Sequence, residues 1–393
     1  MSNAYTATNS APLATLPTTN GVIQNFFAGS ANTGASTFAP DGLATAPILG
    51  LGGSPLQGGE IISGGLVTLI SYVGSALNSG ALCWVLFECA GGAQQVATGT
   101  ASQQAATVGQ VPGANLFVNG LMRVDQRNNG ASQTFTAAAA IAYCIDQWYG
   151  SCTGANVTGQ RASLAGGYTF TGLASNTGTL FGQRIESYNS AQFISANVTV
   201  QAKISSTSIT SVTWNAYYAN TQDNFASKTL ISTGTITVTS TPTVYNFTFN
   251  AGANAANGIA IEFVTGALLA TQTLSYSAAK LELGSAATVL QPTLYSADLA
   301  ASQRYGYQAP VSTVVRQVVT NANIGTENAW LWLPVEMRAA PTVPTVSWTT
   351  TAATSISVLD VTTRSITWQF SETTANSATG IANSASFFVS AVL

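Results

Sequence analysis

Apolar and polar residues alternate with a period of two over many stretches of the chain. From Ile194 to Ile204 the positions Ile194, Ala196, Val198, Val200, Ala202 and Ile204 are apolar and those between mostly polar, which predicts a half-buried strand. Tyr245, Phe247 and Phe249 alternate with Asn246 and Thr248 in the same way, and Ile259, Ile261 and Phe263 continue the theme. Ile366, Trp368 and Phe370 stand against Ser365, Thr367, Gln369 and Ser371. Many strands with few helical patterns predict two sheets packed face to face. Before residue 95, short apolar runs are separated by turn clusters at Asn32-Thr33-Gly34, Asp41-Gly42, Gly50–Ser54 and Gly58-Gly59, as in a small all-β domain. The segment Gly64–Phe87 is uncharged for 24 residues, long enough for a membrane span. Its turn formers Gly74-Ser75 and Asn78-Ser79-Gly80 divide it into two runs of strand length, Leu66–Val73 and Ala81–Phe87, so a hairpin is predicted instead.

Composition shifts mark the boundaries. The expected organisation is a β-domain over 1–92, a linker over 93–114, a second domain over 115–309 and a C-terminal β-sandwich domain over 310–393. Gly91–Ala114 is small and polar, with one short helical stretch expected over Ser102–Thr107. The last block opens on the strand-like Val311–Val319 and continues with Trp330–Val343; Ser371–Ser386 reads as a long, polar, exposed tip.

Charge narrows the chemistry. The 393 residues include 11 Lys plus Arg, 14 Asp plus Glu and no His, so charged residues are 6% of the chain where about a quarter is usual. Without imidazole there are no His-dependent triads and no His-ligated zinc or haem. The net charge is −3 and no basic residue precedes Arg123, so no electrostatic handle for nucleic acid or anionic lipid exists. Disorder is excluded by 46% apolar residues and by 7 Trp, 13 Tyr and 16 Phe. The expected surface is hydrated by hydroxyls and amides rather than ions. Met1–Pro12 lacks the basic and apolar regions of a secretory signal, which predicts folding in a cytoplasm. Cys83, Cys89, Cys144 and Cys152 form no C-x-x-C pair and are expected as buried small hydrophobes.

No catalytic residue is expected. Glycoside hydrolysis needs two carboxylates facing one bond, whereas Asp125 beside Arg123 and Arg127, and Glu282 beside Lys280, read as ion pairs fixing β-edges. Lys203, Lys228 and Lys280 lack the S-x-x-K spacing of a lysine-activated serine, and no phosphate-binding glycine loop follows a strand. No cofactor or metal is expected, although an oxygen-only Ca²⁺ site stays open. What remains is binding. Neutral sugars are held by aromatic faces together with amide and hydroxyl groups. Ligand-binding candidates are Trp214 with Tyr217 and Tyr218, Trp330 with Trp332, and Asn376 in the Ser371–Ser386 loop. In an extended strand Tyr217 and Tyr218 face opposite ways, so at most one meets a ligand. Leu331 and Leu333 alternate with Trp330 and Trp332, making both strand faces apolar and predicting burial on both sides, as at a subunit interface.

Particular strings carry a resemblance. ANTGASTFAPDGLATAPILGLGGSPLQGGEI (Ala31–Ile61), followed by LVTLISYV and CWVLFE, resembles the small β-domain found in bacteriophage tail-fibre proteins. NLFVNGLMRVDQRNNGAS (Asn115–Ser132), YCIDQWYG (Tyr143–Gly150), FGQRIES (Phe181–Ser187) and the stretch Ala278–Gln308 together resemble the jelly-roll domain of such fibres, which is similar to carbohydrate-binding modules. WLWLPVEMRAAPTV (Trp330–Val343) resembles the C-terminal β-domain that follows it. The chain departs from the family at Asp146-Gln147-Trp148, where acid-Arg-Trp is usual. The resemblance implies an all-β protein of tandem β-domains, including a jelly-roll sandwich, in an elongated, trimeric fibre, with Trp148 in the jelly-roll core. It implies a virion structural protein, made in the host cytoplasm and located in the tail or another external appendage. Its partners would be two further copies of itself, other virion proteins at the N-terminal domain and a host surface glycan, without nucleic acid or membrane insertion. A head fibre or collar appendage without receptor binding is the alternative, and an enzyme degrading capsular polysaccharide the third.

Overall fold

The computed structural model describes residues 3–99, 104–318, 326–350, 355–371 and 380–393. These form two compact units, 1–111 and 112–393.

The first unit contains β1 (Ala4–Ala7), β2 (Ile23–Phe27), β3 (Ser36–Pro40), β4 (Ala46–Leu49), β5 (Leu66–Tyr72) and β6 (Cys83–Cys89), in one sheet ordered β1-β3-β4-β6-β5-β2. The predicted hairpin is present: β5 and β6 pair antiparallel from Val67↔Cys89 to Tyr72↔Cys83, with a bulge after Thr68. No helix among the described residues is long and apolar enough to cross a membrane. Val67 and Leu69 face inward with Phe26, Phe38 and Trp84, and Phe38 meets Trp84 edge-on at 5.3 Å between centroids. Residues 102 and 103 of the expected helical stretch lie outside the described residues; 104–107 are not helical, and the chain then makes a 3₁₀ turn, Val108–Gln110, closed by a Thr107/Gln110 capping box.

The second unit begins with β7 (Gln133–Phe135), β8 (Ala142–Tyr143), β9 (Trp148–Thr153), β10 (Val157–Ser163), β11 (Gly166–Thr171) and β12 (Gly178–Ile185). After a short helix α1 (Ser187–Ser190) follow β13 (Asn197–Ser206), β14 (Ser211–Thr221), β15 (Asn224–Thr237), β16 (Thr243–Asn250), β17 (Ile259–Thr265) and β18 (Thr273–Leu283). They form two six-stranded sheets, β16-β13-β18-β11-β10-β7 and β15-β14-β17-β12-β9-β8, packed as a jelly-roll sandwich. Phe181 sits amid its rings, stacked on Trp148 at 4.9 Å and on Tyr168 at 5.6 Å, with Tyr276 at 4.7 Å. The Trp148 indole donates to the Asn119 carbonyl at 3.1 Å, so this buried N–H is satisfied. The alternation over 198–204 is inward as expected, but the strand begins at Asn197; a 3₁₀ turn over Ala191–Phe193 precedes it and leaves Ile194 exposed.

Helix α2 (Tyr295–Gln303) leads to β19 (Gly306–Ala309), β20 (Val315–Val318), β21 (Thr326–Trp332), β22 (Trp348–Thr350), β23 (Ser355–Val361), β24 (Ser365–Ser371), β25 (Gly380–Ser384) and β26 (Phe387–Ser390). They pair as β19-β26, β20-β25-β22 and β21-β24-β23 around a core with Leu331, Ile366, Trp368, Phe370, Phe387 and Val389. This core is tied to the sandwich. The Arg338 amide donates to the Arg304 carbonyl at 2.8 Å, Gln126 donates to the Gly306 carbonyl at 3.1 Å, and Arg127 lies 4.2 Å over the Phe388 ring.

The four cysteines are free and buried, as predicted. Lys280 and Glu282 form the expected ion pair at 2.9 Å, fully buried beneath Thr288. The cluster at Asp125 differs from expectation: Arg123 pairs with Asp298 at 2.8 Å, and Asp125 instead caps a turn by accepting the amides of Asn128 and Gly130. A carboxylate close to a run of amides is satisfied locally, which leaves the long arginine to reach a distant partner.

Candidate functional site

On β21 the alternation sends Ala329 and Leu331 into the C-terminal core and Trp330 and Trp332 outward. Among the described residues nothing covers that second face: Trp330 is 55% and Trp332 72% exposed. The predicted burial on both sides is thus absent from the single chain, because β21-β24-β23 is packed on one face only. The two indoles are two residues apart on one strand, about 6.5–7 Å by strand rise. Their neighbours across the ladder carry hydroxyls, amides and one acid. Trp332 lies opposite Ser365, Trp330 opposite Thr367, which is opposite Asp360, and Asn328 opposite Gln369. A bulge beside Asp360 brings the exposed Leu359 to the strand's edge. Flat apolar rings bordered by hydrogen-bonding side chains suit the C–H faces and hydroxyls of a saccharide.

The other candidates lie elsewhere. Trp214, with Val212 and Ala216, faces the sandwich interior; it is 7% exposed and stacks on Phe247 at 3.9 Å with the planes 11° apart. The polar Thr213 and Asn215 between these apolar positions are the sequence signal that marks Trp214 as interior. Tyr218 is opposite the inward Ile259, and so is on the core side of β14, whereas Tyr217 faces out. Asn376 lies outside the described residues.

Tyr217 belongs to an occupied surface. The Lys228 ammonium lies 4.2 Å over its ring and is ion-paired with Glu262, which also accepts a 2.8 Å hydrogen bond from the Tyr149 hydroxyl. Burial, and then the negative Glu262, push the Tyr149 phenol well above its usual range. Beside them, Arg184 and the Tyr143 hydroxyl both donate to the Leu393 carbonyl, the latter at 2.7 Å, and Leu393, like Tyr217, packs against Ala219, Phe225 and Ala260. This part of the outer face is therefore filled by the chain's own last residues.

The carboxylates are dispersed among structural tasks. Glu186 pairs with Arg304, Glu262 with Lys228, Glu282 with Lys280, and Asp298 with Arg123. Asp146 accepts from the amide and side chain of Gln126, and burial pushes its carboxyl up to about 6, with Gln126 and Arg127 opposing. Among the described residues no group of three or more Cys, Asp or Glu is placed to hold a metal. The described residues also line cavities, two of which are of ligand size. One, of ≈ 340 Å³, lies along Leu86–Gln95 of the first unit, and the other, of ≈ 350 Å³, lies beside Lys203 on the outer face of β13. The second leaves no signature in the sequence, because its walls come from segments up to 169 residues apart (Leu121 to Leu290).

No protein-family model matches the chain, and no curated protein does. Among solved structures it is similar to a CBM4 structure, at 15% identity and a TM-score of 0.28 over 42% of this chain and 98% of that one. It is similar to the enzymatically active domain of tailspike protein 4 of bacteriophage CBA120, at 11% identity and a TM-score of 0.28, over 43% of this chain and 21% of the tailspike chain. It is also similar to TmCBM61 in complex with β-1,4-galactotriose, at 8% identity and a TM-score of 0.24 over 44% of this chain and 99% of that one. Likenesses this distant carry no argument about ligand or assembly.

Proposed function

We propose that this chain is a bacteriophage virion structural protein, a non-catalytic tail-fibre component that adheres to host surface glycan. The observation that carries the adhesive reading is the pair Trp330 and Trp332, exposed on one face and bordered by Ser365, Thr367, Asn328 and Gln369. Leaving two indoles in water is unfavourable for a monomer, so their exposure points to a partner that covers them. The virion reading rests on the tail-fibre strings, and a second feature supports a partner at the first unit. There Ile23 and Phe27 on β2, Leu66 on β5 and Phe87 on β6 are 57%, 76%, 44% and 51% exposed, with Phe27 opposite Leu66 in the register. Contact with other virion proteins would cover these side chains. The fibre would be a homotrimer and needs no cofactor or metal.

The test is binding of the full chain to host cells and to their extracted surface polysaccharide, beside a Trp330→Ala/Trp332→Ala variant. Both rings lie outside the core, so the variant should fold. Two aromatic contacts at about 1 kcal/mol each predict roughly thirtyfold weaker binding. Saturable binding that survives the double substitution would sink the assignment of the ledge. If neither protein binds and the variant alone loses its trimeric mass by light scattering, the tryptophans serve self-association, and the appendage reading without receptor binding takes its place.

A further inference from the structure

Cations are scarce here and almost every one is committed. Of the ten whose side chains are described, six form ion pairs with carboxylates. Arg127 and Arg184 lie over aromatic rings, and Arg161 donates to the Arg123 carbonyl. Lys203 is the exception: among the described residues it makes no ion pair, side-chain hydrogen bond or ring contact. It also lines the ≈ 350 Å³ cavity on the outer face of β13, within the size range of small-ligand pockets.

The local sequence explains the placement. Val200, Ala202 and Ile204 face the sandwich interior, so Lys203 and Gln201 face out. Lys203 is flanked in the ladder by Val244 on β16 and Ala278 on β18. The register then slips between Lys203 and Ile204, leaving Ser277 as an extra residue whose hydroxyl donates to the Lys203 carbonyl at 3.3 Å. Bulges of this kind re-aim side chains beside functional sites. Gln201 is held by its amide, which donates to Glu282 at 2.9 Å and to the Thr288 carbonyl at 2.6 Å, and its own carbonyl oxygen remains as an acceptor. Leu121 and Leu290 add apolar wall from outside the sheet.

We propose that this cavity binds a carboxylate-bearing saccharide, of the uronate or sialate kind, with its carboxylate on the Lys203 ammonium. Its hydroxyls meet Gln201 and Ser277 and its C–H face lies against Leu121, Val244 and Leu290. A cation without a partner, half sheltered by apolar walls, binds an anion more strongly than a fully solvated lysine does, and the polar groups beside it distinguish a sugar acid from a bare anion. The inference deepens the glycan-binding reading and rests on it, at a site apart from the tryptophan ledge.

The test uses the full chain in calorimetry and saturation-transfer NMR with sodium glucuronate, N-acetylneuraminate, glucose and inorganic phosphate. The expected result is binding of one or both sugar acids, at least tenfold weaker binding of glucose and phosphate, and severalfold weakening between 50 and 300 mM salt. Lys203→Met should lose at least tenfold in affinity with an unchanged melting temperature, since no partner is left behind, and Lys203→Arg should retain binding. Trp330→Ala/Trp332→Ala should leave sugar-acid binding intact, which keeps this site's failure distinct from that of the ledge. Equal response to phosphate or glucose, no response to either sugar acid, or an unaffected Lys203→Met variant would each overturn the proposal.

Discussion

Asp146 stands where the resemblance places an acid ahead of an arginine, and this chain has Gln147 instead, at φ 72°. One carboxylate oxygen takes two bonds from Gln126; the other is buried without a hydrogen-bond partner. A carboxyl raised by burial from 3.8 to about 6 holds its proton in the folded state over a window where the unfolded chain has released it. Its contribution therefore favours folding below about pH 4 and is lost as the pH rises through 6. Relative to Asp146→Asn, the natural protein should lose on the order of 2 kcal/mol between pH 4 and pH 7. Parallel melting curves for the two proteins across that range would refute this. Gly159 makes the opposite kind of demand, for space. A Cβ there would sit 2.3 Å from the hydroxyl of the fully buried Tyr168, so Gly159→Ala should lower stability in urea by about 1–3 kcal/mol.

Elements here are pinned by single polar clusters. On β18, Lys280 and Glu282 are two residues apart and so share a face, where the segment following the strand folds over them through Thr288. Taking away one buried charge strands the other. Lys280→Met should cost about 3–5 kcal/mol, whereas Lys280→Met/Glu282→Leu should recover a good part of that. Denaturant titration of both variants decides it, and a double variant less stable than the single one would contradict the account. The tryptophans of β14 and β21 show the limits of reading one strand alone. For β14 the alternation is legible in sequence, and the polar Thr213 and Asn215 show which face is wet. For β21 both faces are apolar, and only its place in a sheet packed on one side leaves Trp330 and Trp332 outside.

Across the second unit, the sandwich core includes no described residue after Leu281, yet the C-terminal strands are bound to it by Arg338, Gln126 and Arg127 and by the Leu393 carbonyl. A chain ending at Ala309 should keep the sandwich and lose the partner of β19, the acceptor of Arg184 and Tyr143, and the tryptophan ledge. Its far-ultraviolet spectrum should stay β-like while its melting temperature falls by several degrees; an unfolded spectrum would mean that the two cores form one cooperative body. The chain by itself determined the all-β class, the hairpin of β5 and β6, the inward faces of β13, β16, β17 and β24, and the poverty of ionic chemistry. These depend on local alternation and composition, which need no knowledge of distant partners. Only the tertiary structure decided that Arg123 reaches Asp298, that Leu393 fills the surface beside Tyr217, and that Trp330, Trp332 and Lys203 are left uncovered. Exposure and ion pairing are set by segments distant along the chain, such as Asp298 for Arg123, Thr367 for Trp330 and Leu290 for Lys203, whose packing no short-range pattern encodes.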